Sequence, residues 1–584
     1  MRTDIAREVW EARYRFYRSG EPVDQTIEDT WQRVADTIAS REREPGRWAS
    51  AYRDLLGDFC FLPGGRILAG AGTGRRVTLC NCFVMGTIED AMELIFTALK
   101  EGALTMQAGG GVGYDFSTLR PVGTPARETG NTASGPVSFM HIWDTMCATL
   151  CSTGARRGAM MATLRCDHPD IHAFVDAKRD PDALTHFNCS VLVTDAFMNA
   201  LRDDAEWPLV FPAHHLPTDQ GTDIIRREWP GEDGAVPCAV VRRVRARELW
   251  EQIMRATYDC SEPGVLFIDR INHENNLSYC ERLSATNPCG EVPLPAYGAC
   301  DLGSFNLTSF VRDPFAAGAA FDFDALRRRV PEAVRFLDSV IDVSGYPLPQ
   351  QAEQARASRR IGLGFTGLGD ALIMLGLHYG SDAARELAAK VMTCIRHEAY
   401  AASVALAREK GPFPLFQADA YLQSPGIQRL PESLRRDIAR DGIRNSHLTA
   451  VAPTGTISLL ANNVSSGIEP VFAAEYRREV RGADGTSAVR TVRDFACQLW
   501  RDTGRSEARP PAFVSAEALK PADHLAMQAA VQPHVDHAIS KTVNVPADSS
   551  FEEFEEIYAE AHRLGLKGCT TYRPGGSRAA VLKH

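Results

Sequence analysis

A thiol, a carboxylate and a carboxamide fall within one short stretch, Asn287-Pro288-Cys289-Gly290-Glu291. Pro288 and Gly290 argue against a helix here, and Pro293 and Pro295 argue against a paired strand just after it. The stretch therefore reads as a stiff loop. In an extended loop residues 289 and 291 point to the same side, so Cys289 and Glu291 can face one substrate. The alternative is an inert loop thiol.

Other segments carry anion-binding chemistry. His447 to Ala452 reads as a strand running into Pro453-Thr454-Gly455-Thr456-Ile457-Ser458, a loop of small hydroxyl residues and glycine suited to cradling phosphate. It is not a P-loop, because the Gly-Lys-Ser/Thr ending is absent. Ser152-Thr153-Gly154-Ala155-Arg156-Arg157 places two guanidinium groups side by side, as anion recognition or a plain exposed loop would. Gly109 to Gly113 reads first as a turn, with approach to a phosphate as the alternative. Gly362-Leu363-Gly364-Phe365-Thr366-Gly367 matches G-x-G-x-x-G, but a polar helical segment precedes it where a dinucleotide site needs an apolar strand. Close backbone packing explains those glycines better.

These segments need a large scaffold. The chain has 584 residues, 44% hydrophobic and 24% charged, which is ordinary for a globular protein with a sizeable core. Its formal charge of -10 argues against a nucleic-acid-coating surface. No apolar run approaches the ~18 residues of a membrane span, and the charged N-terminus is not a signal peptide. Fifteen scattered cysteines without a C-x-x-C suit a reducing cytoplasm and argue against a zinc site built from local cysteine pairs. Residues 1 to about 60 read as helical. Strands are expected at 76–85, 160–166, 187–194, 264–269 and 300–307, helices at 88–107 and 246–259, and mostly helix over 323–406. Residues 203–245 read as a surface excursion. The alternation predicts an α/β fold.

In this order the chain resembles the catalytic subunit of ribonucleotide reductase, in its class II, adenosylcobalamin-dependent type. The resemblance rests on NCFV (Asn81 to Val84), SGPVSFM, RRGAMMATLRCDHPDI, NPCGE, CDLGSFNL, IGLGFTGLGDAL, APTGTISLLANNVSSGIEP, ISKTVNVP and KGCTTYR, which run from about residue 60 to 573. It implies a ten-stranded α/β barrel of two antiparallel half-barrels, with the radical cysteine on a central loop. The organisation expected is an N-terminal helical region over 1–75 without an ATP cone, the barrel over 76–575, and a short or truncated tail over 576–584.

By the same resemblance Cys289 becomes the thiyl radical, Glu291 is the base at the ribose 3′-OH and Asn287 positions the sugar. Cys82 and Cys300 are the reducing pair, supplying protons and electrons as they close a disulfide. Pro453, Thr454, Gly455, Thr456 and Ser458 hold substrate phosphates. Ser152, Thr153, Gly154, Arg156 and Arg157 form the loop that reads a deoxynucleotide or ATP effector at a homodimer interface. Cobalt arrives with adenosylcobalamin, so no metal ligands are expected of the protein. Class I relatives carry a tyrosine pair where this chain has Thr570 and Thr571, which points to a local radical source. The last cysteine is Cys569, so re-reduction is assigned to a thioredoxin-like reductant or a separate tail polypeptide. The competing readings are a class I large subunit with a metal-containing partner and a catalytically silent nucleotide-binding paralogue.

Overall fold

The apolar runs assemble into one ten-stranded sheet: β1 (Phe61–Pro63), β2 (Cys82–Val84), β3 (Gly111–Asp115), β4 (Met160–Arg165), β5 (Phe187–Val193), β6 (Gly264–Phe267), β7 (Ala299–Asn306), β8 (Ile361–Thr366), β9 (Thr542–Asn544) and β10 (Gly568–Tyr572). The computed structural model describes residues 1–584 except 126–130, 152–158, 218–220, 482–486, 505–508, 510, 576–581 and 584. The strand order is β8–β7–β2–β3–β4–β5–β6–β10–β9, with β1 beside β7. From β2 to β6 all neighbours are parallel. The direction reverses at β7/β2 and again at β6/β10, while β7/β8 and β9/β10 are parallel pairs. Beyond β8, single parallel bridges join Leu363 to Thr449 and Val451 to Ile539, so residues 448–452 lie between β8 and the segment leading into β9.

β4, β7 and β8 are buried at every residue, as parallel strands covered on both faces must be. The cover includes helices Met92–Gln107, Ala246–Cys260, Phe323–Val343 and Asp382–Lys410. N-terminal helices Asp4–Arg13, Ile27–Ala39 and Pro45–Leu56 bury Trp10, Trp31 and Tyr52 in the same main core. A separate apolar cluster joins Cys82, Val84, Cys300, Leu302, Ala450 and Ala452 of the sheet to Ala285, Val292 and Leu294. This cluster anchors the loop that carries Cys289.

Several sequence expectations change. The strand expected over 76–85 shrinks to β2, because side chains satisfy the preceding backbone: Leu79 N–H donates to Ser344 Oγ (3.0 Å) and Cys80 N–H to Thr78 Oγ1 (3.2 Å). The helical run over 323–406 is interrupted by β8, which contains the first glycines of the G-x-G-x-x-G match. A Cβ on Gly364 would lie 2.1 Å from the Ala450 carbonyl oxygen, so close packing does explain that glycine. The surface excursion is a three-stranded antiparallel side sheet (Glu206–Pro212, Ile224–Glu228, Ala235–Arg245) with its own core of Phe211, Trp229 and Cys238.

Candidate active site

Pro293 does pair, contrary to the sequence reading. Ala285–Thr286 and Pro293–Leu294 form a two-stranded antiparallel finger in which Thr286 faces Pro293 and Ala285 faces Leu294. Asn287 N–H donates to the Val292 carbonyl (3.2 Å), so the ladder bond falls at 287/292. Hydrogen-bonded and non-bonded positions alternate along such a ladder, so Pro293, at the next position, loses no bond for want of an N–H.

The fingertip is a turn closed by Gly290 N–H on the Asn287 carbonyl (3.0 Å), with Gly290 at φ +80°. Asn287 Oδ1 accepts from Val292 N–H (2.9 Å), Asn188 Nδ2 donates to the Pro288 carbonyl (2.7 Å), and Ala538 N–H donates to the Glu291 carbonyl (2.9 Å). A Cβ on Gly113 would sit 1.8 Å from the Thr286 carbonyl oxygen, so β3 must be bare there for the finger to lie against it. That explains part of the Gly109 to Gly113 cluster.

The sheet brings distant thiols together beside this tip. Cys82 and Cys300 are directly opposed across the antiparallel β2/β7 pair, a placement within reach of disulfide closure. Asn287 Nδ2 donates to Cys82 Sγ (3.2 Å), and the Cys82 thiol points its proton at Glu291 Oε1 (4.0 Å). The Cys300 thiol donates to the Asp301 carbonyl (3.2 Å). Burial pushes the Glu291 carboxyl up to about 7, against the opposing pull of the Asn287 amide. Burial, then the neighbouring Glu291, holds the Cys82 thiol far above its ordinary range, and Cys300 is raised by burial and then Asp301. Both thiols are therefore protonated at neutral pH, while Glu291 sits at the balance point of a base. Cys289 itself is exposed.

Asn287, Cys289, Glu291 and Cys82 line a cavity of about 700 Å³, and Pro453, Thr454, Gly455 and Thr456 line the same cavity. Gly455 begins the short helix Gly455–Leu460, which places first-turn N–H groups at the cavity. Thr454, at φ +50°, spends its hydroxyl on structure, 2.8 Å from Thr366 Oγ1 and 2.8 Å from the Gly467 N–H donor. Ser458 stands apart: it is buried, and its hydroxyl meets the Gly455 carbonyl (3.3 Å) and Ser466 Oγ (3.0 Å). Ser152, Thr153, Gly154, Arg156 and Arg157 lie outside the described residues.

Sequence reasoning assigned no role to Asn81, Arg66 or Ser304, which also line the cavity. Asn81 Oδ1 and Glu291 Oε2 are buried without a hydrogen-bond partner among the described residues, so both are open to a polar ligand. Only burial reveals this in Asn81; its signal in the sequence was its place beside Cys82.

A second pocket, of about 270 Å³, lies against the finger and shares only Pro288 and Cys289 with the first. Its lining includes Gly264, Gln532, Lys541, Cys569 and Thr570, and through Ser261 and Thr542 it adjoins a mostly apolar cleft of about 1020 Å³. Both side-chain atoms of Gln532 are buried without a partner among the described residues.

The chain matches two family profiles, "Ribonucleotide reductase, all-alpha domain" over residues 1–76 and "Ribonucleotide reductase, barrel domain" over 80–572. It belongs to the ribonucleotide reductase family. Within that family it is 40% identical to a vitamin B12-dependent ribonucleoside-diphosphate reductase of Mycobacterium tuberculosis, over 97% of this chain and 76% of that one. It is 35% identical to the enzyme of the same name from Thermoplasma acidophilum (96% and 69%), and 29% identical to a vitamin B12-dependent ribonucleotide reductase of Streptomyces coelicolor (86% and 57%). No described helix of this reductase is long and apolar enough to cross a membrane.

Proposed function

We infer that the protein reduces ribonucleoside diphosphates to 2′-deoxyribonucleotides by adenosylcobalamin-dependent thiyl-radical chemistry. The observation that carries this is Cys289 standing between two separate pockets, one of which is lined by Asn287, Glu291 and Cys82, with Cys300 directly opposed to Cys82 across the β2/β7 pair. The relatives' names add the cofactor and the diphosphate level.

In this reading the Cys289 sulfur takes the ribose 3′-hydrogen while Glu291 accepts the 3′-OH proton. The 2′-hydroxyl leaves as water on a proton from the Cys82–Cys300 pair. The pair then gives two electrons and, to C2′, its second proton as it closes to a disulfide, Glu291 returns its proton to the 3′-oxygen, and Cys289 returns its hydrogen to C3′. Ribonucleotide plus dithiol thus yields deoxyribonucleotide, disulfide and water. Asn287 holds the Cys82 thiol and the finger turn together, and the first turn of helix Gly455–Leu460 receives the phosphates.

The second pocket and its adjoining cleft fit adenosylcobalamin. The unpartnered Gln532 carboxamide suits a nucleoside edge, and the cleft lined by Val471, Phe472, Val545 and Pro546 suits a carbon-rich macrocycle. When bound, the cofactor supplies the organic radical by homolysis of its cobalt–carbon bond. β10 carries Thr570 and Thr571, which fits this local source rather than a class I relay.

The bridges at Thr449 and Val451 support closure of the sheet into a ten-stranded barrel around the finger, with two parallel halves running in opposite directions. Exposed Met92, Leu94 and Phe96 on helix Met92–Gln107, with Ile142 of the neighbouring helix Pro136–Cys151, support a homodimer whose effector loop follows directly at 152–157. A pair that must cycle between thiol and disulfide needs a reducing pool, so we place the enzyme in the cytoplasm with a thioredoxin-like reductant or a cysteine-bearing tail polypeptide.

The test is turnover of ribonucleoside diphosphates with adenosylcobalamin and a dithiol alone. Deoxynucleotide formation is expected. Product only after adding a metal-containing subunit, or nucleotide binding without any product, would falsify the reading; turnover of triphosphates alone would overturn the diphosphate assignment.

A further inference from the structure

The three-stranded side sheet holds a cluster that the proposed chemistry does not use. Strand Glu206–Pro212 ends in the tight turn Ala213–His215, and the turn joining the other two strands carries Glu232 beside it. His214 Nε2 lies 3.1 Å from Glu232 Oε1. The His214 and His215 rings are 4.1 Å apart between centroids, tilted by 43°. One donor atom from each of His214, His215 and Glu232 lies within 4.8 Å of the other two. Two imidazoles and a carboxylate form a donor set favoured by zinc-class ions, and at metal–ligand bonds of about 2.0–2.1 Å tetrahedral donors stand roughly 3.4 Å apart. Side-chain rotation of about an ångström closes that gap.

The backbone beneath the cluster is already fixed. Phe211 packs edge-on against both Trp229 (5.4 Å) and His215 (5.9 Å). Trp229 is buried, with the Arg165 guanidinium 4.6 Å above its ring. Leu216 N–H closes the first turn on the Ala213 carbonyl (3.2 Å), and Glu232 N–H closes the second on the Trp229 carbonyl (3.2 Å). A Cβ on Gly231 would already stand 3.0 Å from Thr87 Cγ2, so the second turn is also seated against the main body. Little ordering is left for an ion to impose, which favours binding. Glu232 offsets part of a dication's charge.

We propose that His214, His215 and Glu232 bind one divalent transition-metal ion of the zinc class, completed by water, and that this ion ties the two turns of the side sheet together. Reading the sequence for paired cysteines missed it, since the third ligand comes from a different turn.

The probes are Co²⁺ and Zn²⁺ added to the full-length protein. One equivalent of Co²⁺ should bind with visible d–d bands and without the near-ultraviolet charge transfer of cobalt–thiolate bonds, and Zn²⁺ should displace it. His214→Gln and Glu232→Gln should each weaken binding at least ~100-fold while ribonucleotide turnover is retained. Backbone hydrogen exchange at 213–217 and 229–232 should slow with the ion in the wild type only. Failure to bind, binding of equal strength in both variants, or a thiolate spectrum overturns the site. Binding that leaves exchange at both turns unchanged overturns the tie between them.

Discussion

The two faces of the Cys289 finger differ in how their charges are settled. On the face with the 700 Å³ cavity, Glu291 and Asn81 each keep an oxygen unpartnered among the described residues, and Glu291 is pushed up to about 7. On the other face two of the charged groups are matched by ion pairs, while Lys567 donates to the Asp536 (2.6 Å) and His537 carbonyls and is pushed down to about 8 by burial. Glu262 meets Lys178 Nζ at 2.5 Å, and Lys541 is held by Glu469, by the Thr542 carbonyl (2.6 Å) and by His524 Nδ1 (2.8 Å). Burial pushes His524 down to about 3, so its ring stays neutral and accepts from Lys541. A pocket whose carboxylate is paired suits homolysis, which separates no charge.

Cys289 is the group common to both faces, so its removal should have the largest effect. Cys289→Ser should reduce deoxynucleotide formation at least ~10³-fold while nucleotide binding persists, because a serine O–H is too strong a bond to exchange with a carbon radical. Retention of multiple-turnover activity in this variant would sink the radical assignment. Cys300→Ser acts on one face only. It should still allow hydrogen exchange at ribose C3′ but no completed reduction with a dithiol; sustained turnover would refute the opposed pair as the reductant.

Glu291→Gln tests the unsettled charge itself. It should lower turnover by about 10²–10⁴-fold and abolish the rise in kcat/KM that the wild type shows as pH increases through about 7. Stability should move the other way. A carboxyl whose folded pKa is raised above its usual 4.5 stabilises the fold while protonated, and that contribution is lost as pH rises through about 7. The variant should therefore melt higher than wild type at pH 8, with the difference shrinking at pH 5. A wild-type profile that is flat around 7, or a lower melting point for the variant at pH 8, breaks the comparison.

How much of this was legible beforehand depended on locality. Asn287, Cys289 and Glu291 were readable because five adjacent residues carry all three groups. Cys82 and Cys300 came only through resemblance, since a cross-strand pair separated by 200-odd residues leaves no periodic trace. Buried parallel strands such as β4 and β5 were visible as apolar runs, whereas β8 was masked by its glycines, Gly362 and Gly364, which are there for packing. Pairing at Pro293 was hidden because it depends on which ladder positions carry hydrogen bonds. Ser458 looked equivalent to Thr456 in the phosphate loop, yet one lines the cavity and the other turns into the protein, a distinction made by the helix starting at Gly455.

The smallest expected effect concerns the settled face. Among the described residues Gln532 has a buried, unpartnered side chain there, so it should contribute binding and not chemistry. Gln532→Leu removes an amide that meets its partner only when the cofactor is bound, and losing one or two such hydrogen bonds corresponds to about 1–2 kcal/mol, or roughly tenfold in affinity. The quenching of protein fluorescence by adenosylcobalamin should shift to higher concentration by that factor, while nucleotide affinity and the pH profile set by Glu291 stay in place. Since the free protein is relieved of two unsatisfied atoms, the same variant should be no less stable than wild type. A weakened nucleotide affinity would instead mean that Gln532 acts across the finger, and that the two faces are not separate.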